Sequence, residues 1–264
     1  MTLKDKIGAC CPQGLGLCVG LDPVIAKMPE KYQTALSPLL EFNLSIIEAS
    51  APYVCAYKPN IAFYEAHGSK GWDQLKKTIE AIPDDKLVIV DAKRGDIGNT
   101  AQAYAIAMFN ELKADMVTVS PYLGKDSLIP FLNENDKGIF VLALTSNPGS
   151  ADIQELTVAG SHVYSHVVKM AVSLNHNQNV GLVVGATKPE ILPEILEISD
   201  GLPLLIPGIG AQGGSVYALK SALEGYSNPA FVNVSRKIIF ASQSDSHEGD
   251  VRESAMKISD ELAG

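Results

Sequence analysis

The chain has 264 residues, 46% hydrophobic and 19% charged, with a formal net charge of −9 and a pI near 5.0. This length supports one large core, and the composition is that of a folded globular protein rather than a disordered chain. The acidic balance argues against nucleic acid and anionic membrane as partners, because both attract basic patches. A small anion remains possible if the positive groups gather at one site.

The opening segment, Met1-Thr2-Leu3-Lys4-Asp5-Lys6, is charged and lacks the apolar centre of a signal peptide. Cys10, Cys11, Cys18 and Cys55 form no Cys-x-x-Cys pair and read as reduced, packed thiols. The longest clean apolar run, Ile139 to Leu144, is too short to span a bilayer. The expected compartment is the cytoplasm.

Eight β-rich runs follow one another. They are Leu17–Leu21, Tyr53–Tyr57, Leu87–Val90, Met116–Val119, Gly138–Leu144, Val180–Val184, Pro203–Ile206 and Ala230–Val234. Near-continuous apolar runs suit strands covered on both faces. Helical spacing lies between them. Ser37-Pro38 has the form of an N-cap and first-turn proline. Trp72, Leu75, Ile79 and Ile82 repeat on one face and stop at Pro83. Ala101 to Leu112, Ile191 to Ile198 and Val251 to Leu262 repeat in the same way, and Ser242 to Asp250 reads as a loop. Alternating strand and helix predict a parallel sheet with right-handed crossovers. Eight repeats favour a closed (β/α)8 TIM barrel over an open doubly wound sheet, as a single α/β domain over 1–264.

Active sites of such barrels lie at the C-terminal ends of the strands. The residues closing each run are therefore the informative ones: Asp22, Lys58, Asp91 with Lys93, Thr145 with Ser146, Pro207, and Arg236. Strand four ends in Ser120-Pro121-Tyr122, which carries less information. Asp91 and Lys93 are two apart and share a face if the strand continues. With Lys58 and Asp96 they can form an alternating Lys58-Asp91-Lys93-Asp96 array. An ion-pair network supporting the barrel rim would use the same residues, but desolvating four charges is costly without a function.

The run Pro207-Gly208-Ile209-Gly210-Ala211-Gln212-Gly213-Gly214 follows strand seven. Its glycines allow backbone N–H groups to approach an anion, with Arg236 beside them at the end of strand eight. Thr145-Ser146-Asn147-Pro148-Gly149 offers groups for a polar ring edge, although the same residues make ordinary turns. His162 and His166 sit four apart without a third ligand and read as a solvated helix face. No metal site is expected.

The segment Asp91-Ala92-Lys93-Arg94-Gly95-Asp96-Ile97-Gly98-Asn99-Thr100 resembles the signature of the orotidine 5′-phosphate decarboxylase family, in its longer bacterial branch. The resemblance extends through Gly20-Leu21-Asp22-Pro23, Tyr57-Lys58-Pro59-Asn60, Thr145 to Gly149, Pro207 to Gly214 and Ser235-Arg236. It implies cofactor-free decarboxylation of orotidine 5′-phosphate to uridine 5′-phosphate in de novo pyrimidine biosynthesis. In the implied roles, Lys93 donates the proton to ring carbon six. Asp91 and Asp96 hold its ammonium, and Asp91 faces the departing carboxylate. Lys58 and Asp22 bind the ribose, with Thr100 and Asp96 supplied by the partner subunit of a homodimer. Ser146 meets the pyrimidine, Ile97 and Pro207 line the apolar pocket, and Ser235 belongs to the substrate site. Gln212 and Arg236 bind phosphate beside Gly208, Gly210 and Gly213.

Two alternatives stand beside this reading. Metal-dependent sugar-phosphate decarboxylases and aldolases of the same superfamily share Asp-x-Lys-x-x-Asp but place a metal-binding carboxylate where this chain has Lys58. A non-catalytic nucleotide-binding barrel would keep the glycine loop and Arg236 without needing Lys93.

Overall fold

The apolar runs become strands because β-branched and large apolar side chains fill both faces of a buried sheet. In the computed structural model, which describes residues 2–12, 14–209 and 214–264, they form a closed barrel. The strands are β1 (Leu15–Leu21), β2 (Ala56–Pro59), β3 (Leu87–Arg94), β4 (Met116–Val119), β5 (Gly138–Leu144), β6 (Val180–Val184), β7 (Leu204–Pro207) and β8 (Ala230–Val234). Their neighbours run in the order β1-β8-β7-β6-β5-β4-β3-β2, all parallel, with β1 closing on both β8 and β2. The chain is an eight-stranded α/β barrel of TIM type.

Two strand boundaries differ from expectation in a way that matters for the site. The run starting at Tyr53 is displaced, because Pro52 lies in a 3₁₀ turn, Ala51–Tyr53, and has no N–H for a ladder. The strand moves on to Ala56–Pro59, so Lys58 lies inside it and is buried. Strand β3 runs past Val90 to Arg94 and carries Asp91 and Lys93 within itself.

The longer helices are α1 (Leu3–Cys10), α2 (Pro38–Ser50), α3 (Gly68–Glu80), α4 (Gly98–Ile106), α5 (Val163–Leu174), α6 (Leu192–Ile198), α7 (Val216–Ala222) and α8 (His247–Ala263). Helix α4 continues as a π-helical segment, Ala107–Glu111. The crossover from β4 to β5 uses 3₁₀ turns, Lys125–Ser127 and Ile129–Leu132, where Gly124 and Pro130 discourage a longer helix. The periodic positions Leu75, Ile79, Ala101, Leu112, Ile195, Val251, Ala255, Ile258 and Leu262 are buried.

Local chemistry corrects three readings. The Ser37 side chain makes no cap hydrogen bond. The Ser37 N–H instead donates to Glu41 Oε1 at 3.2 Å, one position beyond the N3 residue of a capping box. Helix α8 starts at His247, inside the segment read as a loop. There the Asp250 carboxylate accepts the hydroxyls of Ser242, Ser244 and Ser246 at 2.5, 3.3 and 3.0 Å. Of the two histidines read as a solvated helix face, His166 is exposed on α5, its Nε2 3.0 Å from the Val158 carbonyl of the hairpin Thr157–Val158/Ser161–His162. His162 precedes the helix, within that hairpin, and is half-buried with Nδ1 2.8 Å from the Glu155 carbonyl.

The N-terminal end of the barrel is plugged by α1. A capping box between Thr2 and Asp5 starts this helix. Its Leu3 and Ile7, with Cys11, pack on the inward layer of Cys18, Ile89, Met116, Phe140, Val183 and Phe231. Among the described residues, no helix is long and apolar enough to cross a membrane.

The buried His247 ring stacks on Phe42 at 5.5 Å and meets Tyr32 edge-on at 6.3 Å. Nδ1–H donates to the Ser242 carbonyl at 2.8 Å, while Nε2 is buried without a partner. Burial holds its pKa below the ordinary 6.5, against the opposing pull of the Ser242 carbonyl. The neighbouring Glu248 stays ionised, pushed down to about 2 by hydrogen bonds from Lys31 and Tyr32. As the pH falls below 6.5, the unfolded chain gains a proton at His247 that the folded protein resists. Stability therefore falls until the folded-state pKa is passed. His247→Phe should flatten this part of the pH dependence and cost about 1 kcal/mol at pH 7.5 through the lost hydrogen bond. Urea unfolding at pH 7.5 and 5.5 measures both effects. An unchanged slope would show that His247 does not set it.

Candidate active site

The C-terminal mouth of the barrel encloses a cavity of about 310 Å³, within the range of small-molecule sites. Asp22, Lys58, Asp91, Lys93, Ser146 and Pro207 line it, and all six were singled out from the sequence. Asn60, Thr118 and Asn233 line it too and were missed.

Asp91 is the hub. Its Oδ2 receives Lys58 Nζ at 3.1 Å and Asn60 Nδ2 at 3.4 Å. Its Oδ1 receives Lys93 Nζ at 2.6 Å and the Thr118 hydroxyl at 2.8 Å. Burial opposes both the Asp91 carboxylate and the Lys58 ammonium, but their mutual attraction outweighs it. With Lys93 helping, Asp91 is held well below the usual carboxylate range. Lys58, with Asp22 also nearby, is held above the usual lysine value. The Lys58–Asp91 pair is thus charged throughout ordinary pH. Lys93 is the open member of the cluster, its side chain half exposed against 5% for Lys58.

A backbone irregularity sets this geometry. Val90 pairs with Val117 and Arg94 with Val119, so Asp91, Ala92 and Lys93 all lie opposite Thr118 alone. Lys93 has φ of 46°, in the left-handed region, which costs a non-glycine residue about 1–3 kcal/mol. The Thr118 hydroxyl oxygen compensates by accepting the N–H groups of Ala92 and Lys93 at 3.1 and 2.9 Å. One side chain therefore replaces two ladder contacts and also fixes the carboxylate. A threonine in an otherwise apolar strand, Met116-Val117-Thr118-Val119, was the available signal.

Asp22 Oδ1 and Ser235 Oγ are buried without hydrogen-bond partners, as polar atoms reserved for a ligand would be. The Ser146 segment is positioned from its neighbours. Thr145 N–H donates to Gln154 Oε1 at 2.8 Å, and Thr187 Oγ1 to the Ser146 carbonyl at 3.2 Å. A Cβ on Gly185 would stand 2.7 Å from Ser146 N, so that glycine permits the close approach.

After β7, Gly208 takes φ of 112°, open only to glycine, and its carbonyl accepts Gly214 N–H at 3.0 Å. This bond draws the two ends of the loop together. The expected phosphate residues Gly210, Gln212 and Gly213 lie outside the described residues. Arg236 begins a short helix, Arg236–Ile239, directly after β8 and is exposed.

Ser235 and Arg236 are not among the residues lining this cavity, and Asp96, Ile97 and Thr100 stand apart from it as well. Asp96 accepts its neighbour Ile97 N–H at 2.8 Å and makes no ion pair with Lys93 within the chain. Ile97 is 55% exposed, and Thr100 is exposed on the first turn of α4. The four-charge array is thus a three-charge array within one chain. Asp96 and Ile97 lie in the irregular stretch between β3 and α4.

Eight parallel strands with a charged cavity at their C-terminal mouth define a (β/α)8 barrel with the architecture of an enzyme. Residues 16–248 match the family described as Orotidine 5′-phosphate decarboxylase / HUMPS, and the chain belongs to that family. A protein of Herpetosiphon aurantiacus named orotidine 5′-phosphate decarboxylase is 49% identical over 228 residues, covering 86% of this chain and 84% of its own. A protein of that name from Dehalococcoides mccartyi is 48% identical over 254 residues, covering 93% and 91%. Among solved structures, Leishmania donovani OMP decarboxylase superposes with a TM-score of 0.86 at 38% identity, covering 99% of this chain and 97% of that one. Leishmania donovani UMP synthase gives 0.87 at 40% identity, but this chain spans only 56% of its length.

Proposed function

We propose that this protein decarboxylates orotidine 5′-phosphate to uridine 5′-phosphate, without a cofactor, in de novo pyrimidine biosynthesis. The observation that carries the reading is the Lys58-Asp91-Lys93 array, with its one open ammonium facing the cavity. Loss of carbon dioxide from ring carbon six leaves an electron pair in an in-plane orbital that the ring π system cannot absorb. A fixed ammonium stabilises that developing charge and then protonates the carbon. Lys93 fills this role, and Asp91 orients it while facing the departing carboxylate. Lys58 and Asp22 take the ribose hydroxyls, Ser146 the pyrimidine edge, and Pro207 the apolar wall. Gln212 and Arg236 hold the phosphate, whose binding energy helps position the remote ring. Asp96, Thr100 and Ile97 complete the site from a second subunit.

The metal-dependent alternative is disfavoured by the Lys58 ammonium at the point where its relatives need a carboxylate, since a buried cation repels a metal ion. Purified protein incubated with orotidine 5′-phosphate should consume it and yield uridine 5′-phosphate and carbon dioxide. Intact substrate after incubation with folded protein would overturn the proposal.

Thr118 is a positioning residue in this scheme. Thr118→Val keeps the shape but leaves Asp91 and two N–H groups without their partner. It should lower kcat about 10- to 100-fold with little change in KM, as expected for a misplaced catalytic group. Thr118→Ser restores the hydroxyl and should return most of the activity. Equal losses in the two variants would assign Thr118 to packing alone.

Arg236→Ala should lower kcat/KM for the nucleotide about 10- to 100-fold, the scale of hydrogen bonds to a charged group. Orotidine without its phosphate should be nearly indifferent to the change. Measuring both substrates on both proteins closes a thermodynamic cycle, and equal effects would remove Arg236 from the phosphate site.

A further inference from the structure

At the opposite end of the barrel, two thiols crowd one glycine. A Cβ placed on Gly16 of β1 would stand 2.2 Å from Cys55 Sγ and 2.9 Å from Cys11 Sγ. The missing side chain makes room for both sulfurs. Cys11 caps the C-terminus of α1, the helix that plugs the barrel, and Cys55 directly precedes β2. They border a cavity of about 190 Å³ together with Gly16, Tyr53 and Leu262. Cys55 is half-buried and Cys11 is buried, so a small reagent meets Cys55 first.

We propose that Cys11 and Cys55 are a reversible redox pair, converted by hydrogen peroxide into an intramolecular disulfide that staples α1 to the foot of β2. The two sulfurs differ in the required sense. The neighbouring Cys11 thiol lowers the Cys55 pKa against its burial, with Lys86 assisting. Cys55, the half-buried sulfur that a small reagent reaches first, is the attacking thiolate. Its sulfur attacks one peroxide oxygen, the O–O bond breaks, and hydroxide leaves, giving Cys55 sulfenic acid. The Cys11 sulfur then attacks the Cys55 sulfur. The S–O bond breaks, the sulfenic oxygen leaves as water with the Cys11 proton, and the S–S bond forms. Two thiols are oxidised and one peroxide is reduced to two waters. A thiol reductant reverses the bond by exchange.

The other two cysteines are placed as spectators. Cys18 is fully buried in the barrel. The Cys10 thiol points to the Asp85 carbonyl at 3.2 Å, and burial pushes its pKa up to about 11.

The test is peroxide treatment of the folded protein, followed by intact-mass measurement and non-reducing peptide mapping. The expected result is a loss of two hydrogens and a Cys11–Cys55 cross-linked peptide that disappears with dithiothreitol. Cys10→Ser should behave like the parent. Cys11→Ser should stop at the sulfenic acid on Cys55, trapped by dimedone. Circular dichroism checks that each variant is folded. A Cys10–Cys55 link, Cys55 passing to sulfinic acid while Cys11 stays reduced, or four surviving thiols at a peroxide level that oxidises the unfolded chain would each overturn the proposal.

Discussion

Lys93→Ala should lower kcat by at least about 10³-fold while leaving nucleotide binding measurable. Two effects disappear together: the proton donor, with a typical contribution of about 10²–10⁴, and the fixed positive charge at the developing carbanion. Lys58 cannot substitute, because it is buried on the other carboxylate oxygen of Asp91, 3.1 Å from Oδ2. Binding should survive because the remaining scaffold does. Asp91 keeps Lys58, Asn60 and Thr118, so the rest of the charged cluster stays in place. Relief of the left-handed φ at position 93 is not expected, since alanine also disfavours it. Single-turnover kinetics with titration of a non-reacting nucleotide separate the two terms. A variant retaining more than a tenth of the parental turnover would remove Lys93 from the chemistry.

The strands were legible because burial on both faces leaves an apolar run that little else produces. Met116–Val119, Gly138–Leu144, Val180–Val184 and Ala230–Val234 fall where those runs begin and end. Lys58 and Asp91 were legible because a charge at the end of such a run has few structural reasons to be there. The argument for Lys93 reached the right neighbour by an incomplete route. Simple alternation was expected to put it beside Asp91, whereas the strand bulges there and Lys93 turns left-handed. A bulge depends on how the adjacent strand pairs, which is not encoded locally, and so Thr118 on β4 went unnoticed. Asp250 was hidden for a similar reason: three serines that look like a loop become ligands of one carboxylate at a helix start. The cysteines were read as inert packing because their spacing carries no motif. Cys11 and Cys55 meet only when β1 brings Gly16 between them.

Mixing Lys93→Ala and Asp96→Ala proteins should restore activity that neither variant possesses alone. Within one chain Asp96 makes no ion pair with Lys93; it is half-exposed after β3, and Ile97 and Thr100 beyond it are exposed. If that stretch completes a neighbour's cavity in a two-fold dimer, each site takes Lys93 from one subunit and Asp96 from the other. The exposed apolar Ile97, together with Tyr122 at 80% and Leu123 at 49%, fits burial at such a contact. Each parent variant then carries the same lesion in both sites. A mixed dimer concentrates both lesions in one site and leaves the other intact. Random reassortment of equal amounts gives about half mixed dimers, each with one working site of two, so activity should rise to roughly one quarter of the unmutated protein. Native mass spectrometry of isotopically distinct subunits measures the exchange independently. Fully exchanged subunits with no gain over the separate variants would place Asp96 in its own chain's site and rule out the shared arrangement.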